Sequence, residues 1–368
     1  MHRVDLAYTL VPGDRSRGEL HHPLLELLEA VNRSGSISAA AREMSMSYRH
    51  VWGELKRWES ELGRPLLLWT RGQSARLSPF GSKLLWAERQ AQARLAPQLA
   101  SLRNELERAF ATAFDDGAEV IPVSASHDEA LPLLGDWCAS HRKLHLDVHF
   151  TGSVDALAAL NDGRCLLAGF HALAEAPRGS ATALAYRPLL KPGRHKLIGF
   201  ALRSQGLMVA AGNPLGIRSL ADLARPALRF VNRGRGTGTR VVLDELLAAS
   251  GTPAQKISGY DRTEPSHRAV AQSVSSGSAD AAFGIEAAAR AKGLDFIEIT
   301  QERYFLATLR DHLDDPLIAT VRAVLASAEW QAALRELPGY QPFRSGEVLS
   351  LKDVLPWWHY RGPKAAAR

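Results

Sequence analysis

The stretch Asn232-Arg233-Gly234-Arg235-Gly236-Thr237-Gly238-Thr239-Arg240 has the spacing with the clearest chemical meaning. Glycines at alternate positions let a backbone approach a ligand closely, and Thr237 and Thr239 add hydroxyls. A strand-like run, Leu228 to Asn232, leads into it and a helical run from Val241 to Ala249 follows. The free N–H groups and positive dipole end of that helix then meet the same spot. The combination suits a small anion or a carboxylate; a merely structural Gly-rich turn is the plainer alternative. A P-loop would need a lysine after the last glycine, and a dinucleotide fingerprint would need glycines in the earlier turn Ser124–Asp128, which has none. Arg235, Thr237, Gly238 and Thr239 are therefore candidate ligand-binding residues.

Other predicted strand ends supply the remaining candidates. Ser124, Ser126 and His127 follow the strand Val120–Val123, Thr151 and Ser153 follow Leu144–Phe150, and His171 follows Cys165–Ala168. Hydroxyls and backbone N–H groups fit a tetrahedral oxyanion selected by shape more than by countercharge, although serine and threonine also cap helices everywhere. Catalysis is not expected. Ser126, His127 and Asp128 are consecutive, so they cannot converge as a hydrolase triad. His127, His171 and His267 follow no metal-ligand spacing, and Glu286 at a helix start reads as a dipole partner. No cofactor is implied.

A different chemistry is written between Gly35 and Leu62. Ser38 is placed to cap an Ala-rich helix through Met44, Ser45-Met46-Ser47 forms a turn, and Ser47 caps the next helix. That helix carries Val51, Trp52, Leu55, Trp58 and Leu62 at spacings of three and four, an inward stripe. Its other face presents Tyr48, Arg49, His50, Lys56 and Arg57. A helix-turn-helix sets such N-terminal residues against base edges and phosphates, so Ser47, Tyr48, Arg49, His50 and Lys56 are candidate DNA-binding residues. Beyond Gly63, the run Pro65–Trp69, the basic turn with Arg71 and Arg76, and a helix entered at Ser78 outline a wing.

The motifs Gly35–Ala41, Ser47–Trp52, Glu61–Leu66 and Leu77–Gly81 resemble the winged helix-turn-helix of LysR-type regulators, and more closely that of molybdate-responsive ModE-type regulators. From Glu119 onward strands alternate with helices, an α/β pattern. Ser126-His127-Asp128, Ala168–His171, Phe230–Arg240 and Asp280–Glu286 resemble the two-lobed periplasmic-binding-protein-like domain fused to ModE-type heads and related to molybdate-binding proteins. The pair of small oligonucleotide-fold-like domains of the molybdate regulators proper is not seen. The resemblance implies molybdate or tungstate as effector, with a small carboxylate such as formate as rival. It also implies double-stranded DNA and RNA polymerase as partners.

The expected fold is multidomain: an α-rich winged helix-turn-helix (1–81), a long linker helix (82–116), and a two-lobed α/β periplasmic-binding-protein-like domain (117–345). Lobe I takes about 117–200 and 300–345, lobe II about 205–297, and 346–368 is a tail with Trp357, Trp358 and Tyr360. Leu84, Leu95, Leu99, Leu102 and Leu106 form a seam on the linker helix that calls for a partner, a second copy as dimer or tetramer, with packing on its own chain as the alternative. The 368 residues have a formal net charge of +6, and the basic excess lies between Arg42 and Arg94. No run approaches the ~20 apolar residues of a membrane helix, and the N-terminus lacks the apolar core of a secretory signal. Cys138 and Cys165 form no disulfide framework. The expectation is a cytoplasmic transcriptional regulator without membrane contact; a cytosolic oxyanion-binding or storage protein is the rival of another class.

Overall fold

The computed structural model describes residues 22–68, 74–114, 117, 119–173, 179–235 and 237–358. Arg71, Asp115, Asp116, Gly236 and Tyr360 lie outside these residues. The molecule divides inside one helix, between Gln92 and Ala93.

In the first unit α1 (Pro23–Ser34) begins with a proline, whose missing N–H is harmless there, and ends at Gly35 with φ 64°. Helix α2 (Ile37–Glu43) is capped by Ser36, which accepts from the Ala39 N–H. The expected cap, Ser38, instead lies in the first turn. Helix α3 (Tyr48–Leu62) is capped by Ser47 and closed by Gly63. Leu24, Leu28, Val31, Ala40, Val51 and Leu55 form the core, whereas Trp52, Trp58 and Leu62 are only partly buried against it. Strands β1 (Leu67–Leu68) and β2 (Arg76–Leu77) pair antiparallel as a small wing. Helix α4 (Pro79–Phe114) leaves the wing, and Ser78 joins the two by donating to the Pro65 carbonyl and accepting from the Gly81 N–H. Trp86, Leu95 and Leu102 stand exposed along α4.

The second unit is built from β3 (Glu119–Ala125), α5 (Ala130–Arg142), β4 (Leu144–Phe150), α6 (Ser153–Asn161), β5 (Leu167–Leu173), α7 (Ala181–Tyr186) and β6 (His195–Val209). There follow β7 (Phe230–Arg233), α8 (Gly238–Ala249), β8 (Thr263–Glu264), α9 (His267–Ser275), β9 (Ala281–Ile285), α10 (Glu286–Arg290) and β10 (Asp295–Leu309). The chain closes with α11 (Pro316–Ala326), α12 (Ala328–Arg335), β11 (Tyr340–Pro342), β12 (Val348–Leu349) and α13 (Leu351–Val354). Strand order is β4-β3-β5-β10-β6-β9-β7-β8, with β11 and β12 also paired to β6.

The two long strands connect the lobes. The first half of β6 pairs with β11 and β12 and its second half with β9, while β10 pairs with β6 throughout and with β5 over its second half. Ser204-Gln205-Gly206 and Gln301-Glu302-Arg303 thus lie within strands despite their polar composition. Their polarity reflects the junction between lobes. His171 likewise sits within β5, because that strand runs on past Ala168 to Leu173. The segment after 345 is part of this domain: β12 joins β6, and Trp357 is buried in the same cluster as Phe170 and Phe305.

At the junction, β6 and β10 approach so closely that a Cβ on Gly206 would stand 2.0 Å from the Ile297 carbonyl oxygen. Gly206→Ala must part the strands and should destabilise the second unit by about 1–3 kcal/mol. Gly135→Ala, in α5 with nothing within 4 Å of the new methyl, should instead add about 0.4–1 kcal/mol. Urea midpoints of the two variants check this; equal midpoints would remove the close approach as a constraint.

Candidate binding cleft and DNA-reading face

The cleft is assembled from the loop 126–128, the start of α6, β5, the two junction strands, the end of β7, and the starts of α8 and α9. At its floor Arg203, buried on β6, donates Nη1 to Asp128 at 2.8 Å and Nε to Glu302 at 3.0 Å. Arg203 and Glu302 are direct register partners of β6 and β10. Asp128 also accepts from the Tyr340 hydroxyl at 2.9 Å and the Ala130 N–H at 2.8 Å. Burial pushes the Asp128 carboxyl up, but the His171 hydrogen bond and the Arg203 charge win and hold it well below the usual carboxylate range. Gln205 donates to Glu302 and, at 3.4 Å, to Thr239 at the start of α8. This network ties lobe I, the junction and lobe II together.

Asp128, His171 and Ser126 form a relay that their sequence positions do not suggest. His171 Nε2 lies 3.3 Å from Asp128 and its Nδ1 lies 2.8 Å from the Ser126 hydroxyl. The carboxylate fixes the ring proton on Nε2, so Nδ1 accepts the Ser126 proton. Burial and the Arg203 charge lower the His171 pKa, which keeps the ring neutral. Asp128 shares the Arg203 cation with Glu302, and the relay orients the Ser126 hydroxyl.

Arg233, at the end of β7, has a different environment. It is 6% exposed, its Nη1 donates to the Glu264 carbonyl at 3.1 Å, and its Nε is buried without a partner. Burial and the nearby Arg203 charge pull its pKa down to about 10. His127 Nδ1 and His267 Nδ1 are also buried without partners. The His127 pKa is lowered mainly by burial, and that of His267 falls well below the usual value through burial and the charges of Arg233 and Arg203. A desolvated guanidinium beside two neutral imidazoles is an environment short of negative charge. Each of the three keeps a desolvated polar atom without a partner inside the protein.

The helix starts face one another from the two lobes. A Cβ on Gly238 would stand 3.9 Å from the Ser153 hydroxyl oxygen. Ser153 is buried beside the Tyr186 phenol and has no well-formed bond of its own. The adjoining pocket has about 370 Å³ of free space, part of it open to solvent, and is lined by Ser153, His171, Thr182, Tyr186, Gly238 and Glu302 with an apolar wall at Val154, Leu173 and Val241. Outside it, Arg268 of α9 reaches across to Glu129 of lobe I with two bonds of 2.8 and 3.2 Å.

Several expected ligand groups have other duties. Ser124 is buried within β3, beside the Cys165 thiol. The Thr237 hydroxyl donates to the Gly234 carbonyl at 2.8 Å and caps α8 by accepting from the Arg240 N–H, so it acts as a cap. Arg235 is 81% exposed in its side chain and pairs with Asp261, outside the cleft. Arg240 is held by Asp244 and by the Tyr260 ring, 4.0 Å away. Ser126, His127, Ser153, His171, Gly238 and Thr239 are brought together, with Thr151 at the end of β4. Arg203, Gln205, Arg233 and Glu302 were missed as site residues. A readable signal existed: an arginine and a glutamate each interrupt a long apolar strand, as a buried pair would.

In the first unit Tyr48, Arg49 and His50 are exposed in the first turn of α3. Tyr48 stacks on Trp52 with ring centroids 6.4 Å apart, and Lys56 lies 4.9 Å above the same ring while pairing with Glu59. Lys56 is therefore neutralised locally, and Ser47 uses its hydroxyl on the His50 N–H as cap. Arg49 and Arg76 form no ion pair among the described residues. No helix there is long and apolar enough to cross a membrane, and no cluster of three or more His, Cys, Asp or Glu is placed to hold a metal ion.

Residues 137–326, just over half of the chain, match the PBP superfamily domain. The chain belongs to the PBP superfamily. Ahead of its PBP domain, residues 23–82 match the bacterial regulatory helix-turn-helix protein family of lysR type. YvgK, an uncharacterised protein of Bacillus subtilis (strain 168), is 34% identical over 200 residues, covering 54% of this chain and 64% of YvgK. The chain thus spans less than two thirds of that relative. The molybdenum-pterin-binding protein MopB of Rhodobacter capsulatus is 33% identical over 97 residues, 25% of this chain and 36% of MopB. Among solved structures, full-length CbnR complexed with its target DNA aligns over 81% of this chain and 96% of its own, at 16% identity and a TM-score of 0.42.

The PBP domain should lose stability on acidification in two windows. His127, His171 and His267 take protons less readily folded than unfolded, so their stabilisation is full above about pH 6.5 and is lost as pH falls below it. Asp128, also depressed, adds stability above the ordinary carboxylate range near ~4 that is lost below it. The anion-free melting temperature should therefore drop between pH 7.5 and 5.5, and His267→Gln should flatten that drop. A flat wild-type profile would contradict the buried neutral rings.

Proposed function

We propose that the chain is a DNA-binding transcriptional regulator whose PBP domain binds a small anion in the cleft. The observation carrying this reading is Arg233, a buried guanidinium with an unpartnered Nε beside two unpartnered imidazole nitrogens. The backbone N–H groups at the starts of α6 and α8 add fixed positive ends from both lobes. An anion bound there is shared by the lobes, so it favours their closed arrangement. Only a difference in its affinity for two arrangements can carry that effect to the DNA-binding head.

Molybdate or tungstate is the leading effector: the unpartnered groups of Arg233, His127 and His267 come from three separate elements, as a tetrahedral oxyanion requires, and a partial relative is the molybdenum-pterin-binding protein MopB. Arg233 favours a second reading, a small carboxylate such as formate, since a guanidinium fork matches a planar carboxylate. Thermal shift with molybdate, tungstate, sulfate and formate separates them. A ligand at a hundred times its Kd stabilises by about 2.7 kcal/mol, and Arg233→Gln should reduce affinity by about 1.5–3 kcal/mol. If none of the four anions raises the melting temperature, the anion reading fails.

For DNA, the exposed start of α3 supplies Tyr48, Arg49 and His50 to bases, and Arg76 of the wing meets phosphate. Arg49→Ala should weaken binding to the cognate site by about 1–3 kcal/mol and relax its sequence preference. Arg76→Ala should weaken all duplexes alike and lower the salt slope by about one. Gel-shift titrations at several salt concentrations check both, and unchanged affinity in both variants would displace the reading face from α3 and the wing.

A further inference from the structure

Two neighbouring residues of α4 are fastened to the part of lobe II that carries Arg233. Arg94 donates Nε and Nη2 to the two carboxylate oxygens of Glu264, each at 2.8 Å. The Glu264 side chain is 2% exposed and that of Arg94 54%, so the fork closes over a desolvated carboxylate. One residue earlier, the Ala93 carbonyl accepts the Ser266 hydroxyl at 2.8 Å, and Ser266 is the N-cap of α9. Glu264 is the register partner of Arg233 across β8 and β7, and its carbonyl accepts Arg233 Nη1 at 3.1 Å. His267, with its unpartnered Nδ1, opens α9 immediately after this cap.

We propose that Arg94, on the linker helix, is a positioning residue for the anion site. It fixes Glu264, and the Glu264 carbonyl holds the Arg233 guanidinium with its Nε left for the anion. The bidentate geometry requires the planar fork of arginine; a lysine supplies the charge but only a single point of attachment. Arg94 lies in the same continuous helix that begins at the wing, so a ligand that shifts Arg233 also acts on α4. The coupling is reciprocal: whatever restrains α4 alters anion affinity by the same factor. The proposal rests on the anion reading above and adds a residue outside the cleft to it.

The test uses the full chain with Arg94→Gln, Arg94→Lys and the double variant Arg94→Met with Glu264→Gln, which leaves no carboxylate buried alone if the single variants fold poorly. Hydrogen exchange without any anion reads the pin itself. The double variant should exchange faster at residues 231–235 and 263–268 and unchanged at 144–150 in lobe I. Equal exchange at 231–235 overturns the proposal whatever the protein binds. Calorimetric titration with sodium molybdate and with sodium formate reads the site. Arg94→Gln and the double variant should bind the accepted anion at least about 5-fold more weakly, and Arg94→Lys should recover part of the loss. Wild-type affinity in Arg94→Gln overturns the proposal. If wild-type protein binds neither anion, the anion reading fails on its own, and the exchange data alone decide whether Arg94 holds Arg233.

Discussion

A guanidinium taken out of water must have its charge matched and its donors occupied, or the fold that buries it is penalised by several kcal/mol. Arg203 meets this requirement from the middle of β6, where the two lobes join. Asp128 reaches it from a loop of the first lobe and Glu302 from the adjacent strand. Remove the cation and two carboxylates face one another without solvent. The rest of the junction is arranged around that need: Tyr340 and His171 complete Asp128, and Gln205 links Glu302 to the start of α8. A single charge thus sets the loop, the strand register and the approach of lobe II.

Arg233 makes the comparison instructive, because it is the same side chain at nearly the same burial. Arg203 has two carboxylates, whereas Arg233 has a carbonyl oxygen and an unpartnered Nε. Burial penalises both cations, but only Arg203 recovers the loss within its own chain, so their pKa values move in opposite directions. One arginine holds the architecture and the other leaves an electrostatic demand unmet. The histidines follow the same division: His171 is bonded at both ring nitrogens, whereas Nδ1 of His127 and of His267 is buried without a partner.

The winged head is legible in the sequence because its signals are local: Ser47 caps, Gly35 and Gly63 terminate, and the stripe of α3 repeats at helical spacing. The two-lobed pattern is legible for a similar reason, since apolar strands alternate with amphipathic helices. What escapes is whatever depends on distant residues meeting. Ser204-Gln205-Gly206 looks like a turn by composition, yet it continues β6 because β9 and β10 complete its hydrogen bonds. Thr237 and Ser124 look like ligand groups by type, but Thr237 caps α8 and Ser124 is buried within β3. Arg235 and Arg233 are two residues apart and cannot be ranked without knowing which one the strand buries. The relay from Asp128 through His171 to Ser126 spans more than forty positions of chain, and no local pattern encodes it.

The Glu129–Arg268 pair bridges the lobes over the side of the cleft where His127 and His267 lie. A solute held behind such a gate departs only as often as the gate swings open, and enters at the same limited frequency. Occupancy then responds to a changing supply with a delay set by the opening rate and not by diffusion, while the equilibrium constant is scaled by the fraction of open molecules. The Arg268 side chain is 42% exposed, so added salt loosens the gate and shortens that delay. For the proposed anion, the timing of the response and its sensitivity then reside in different residues: sensitivity in the buried donors, timing in an ion pair at the surface.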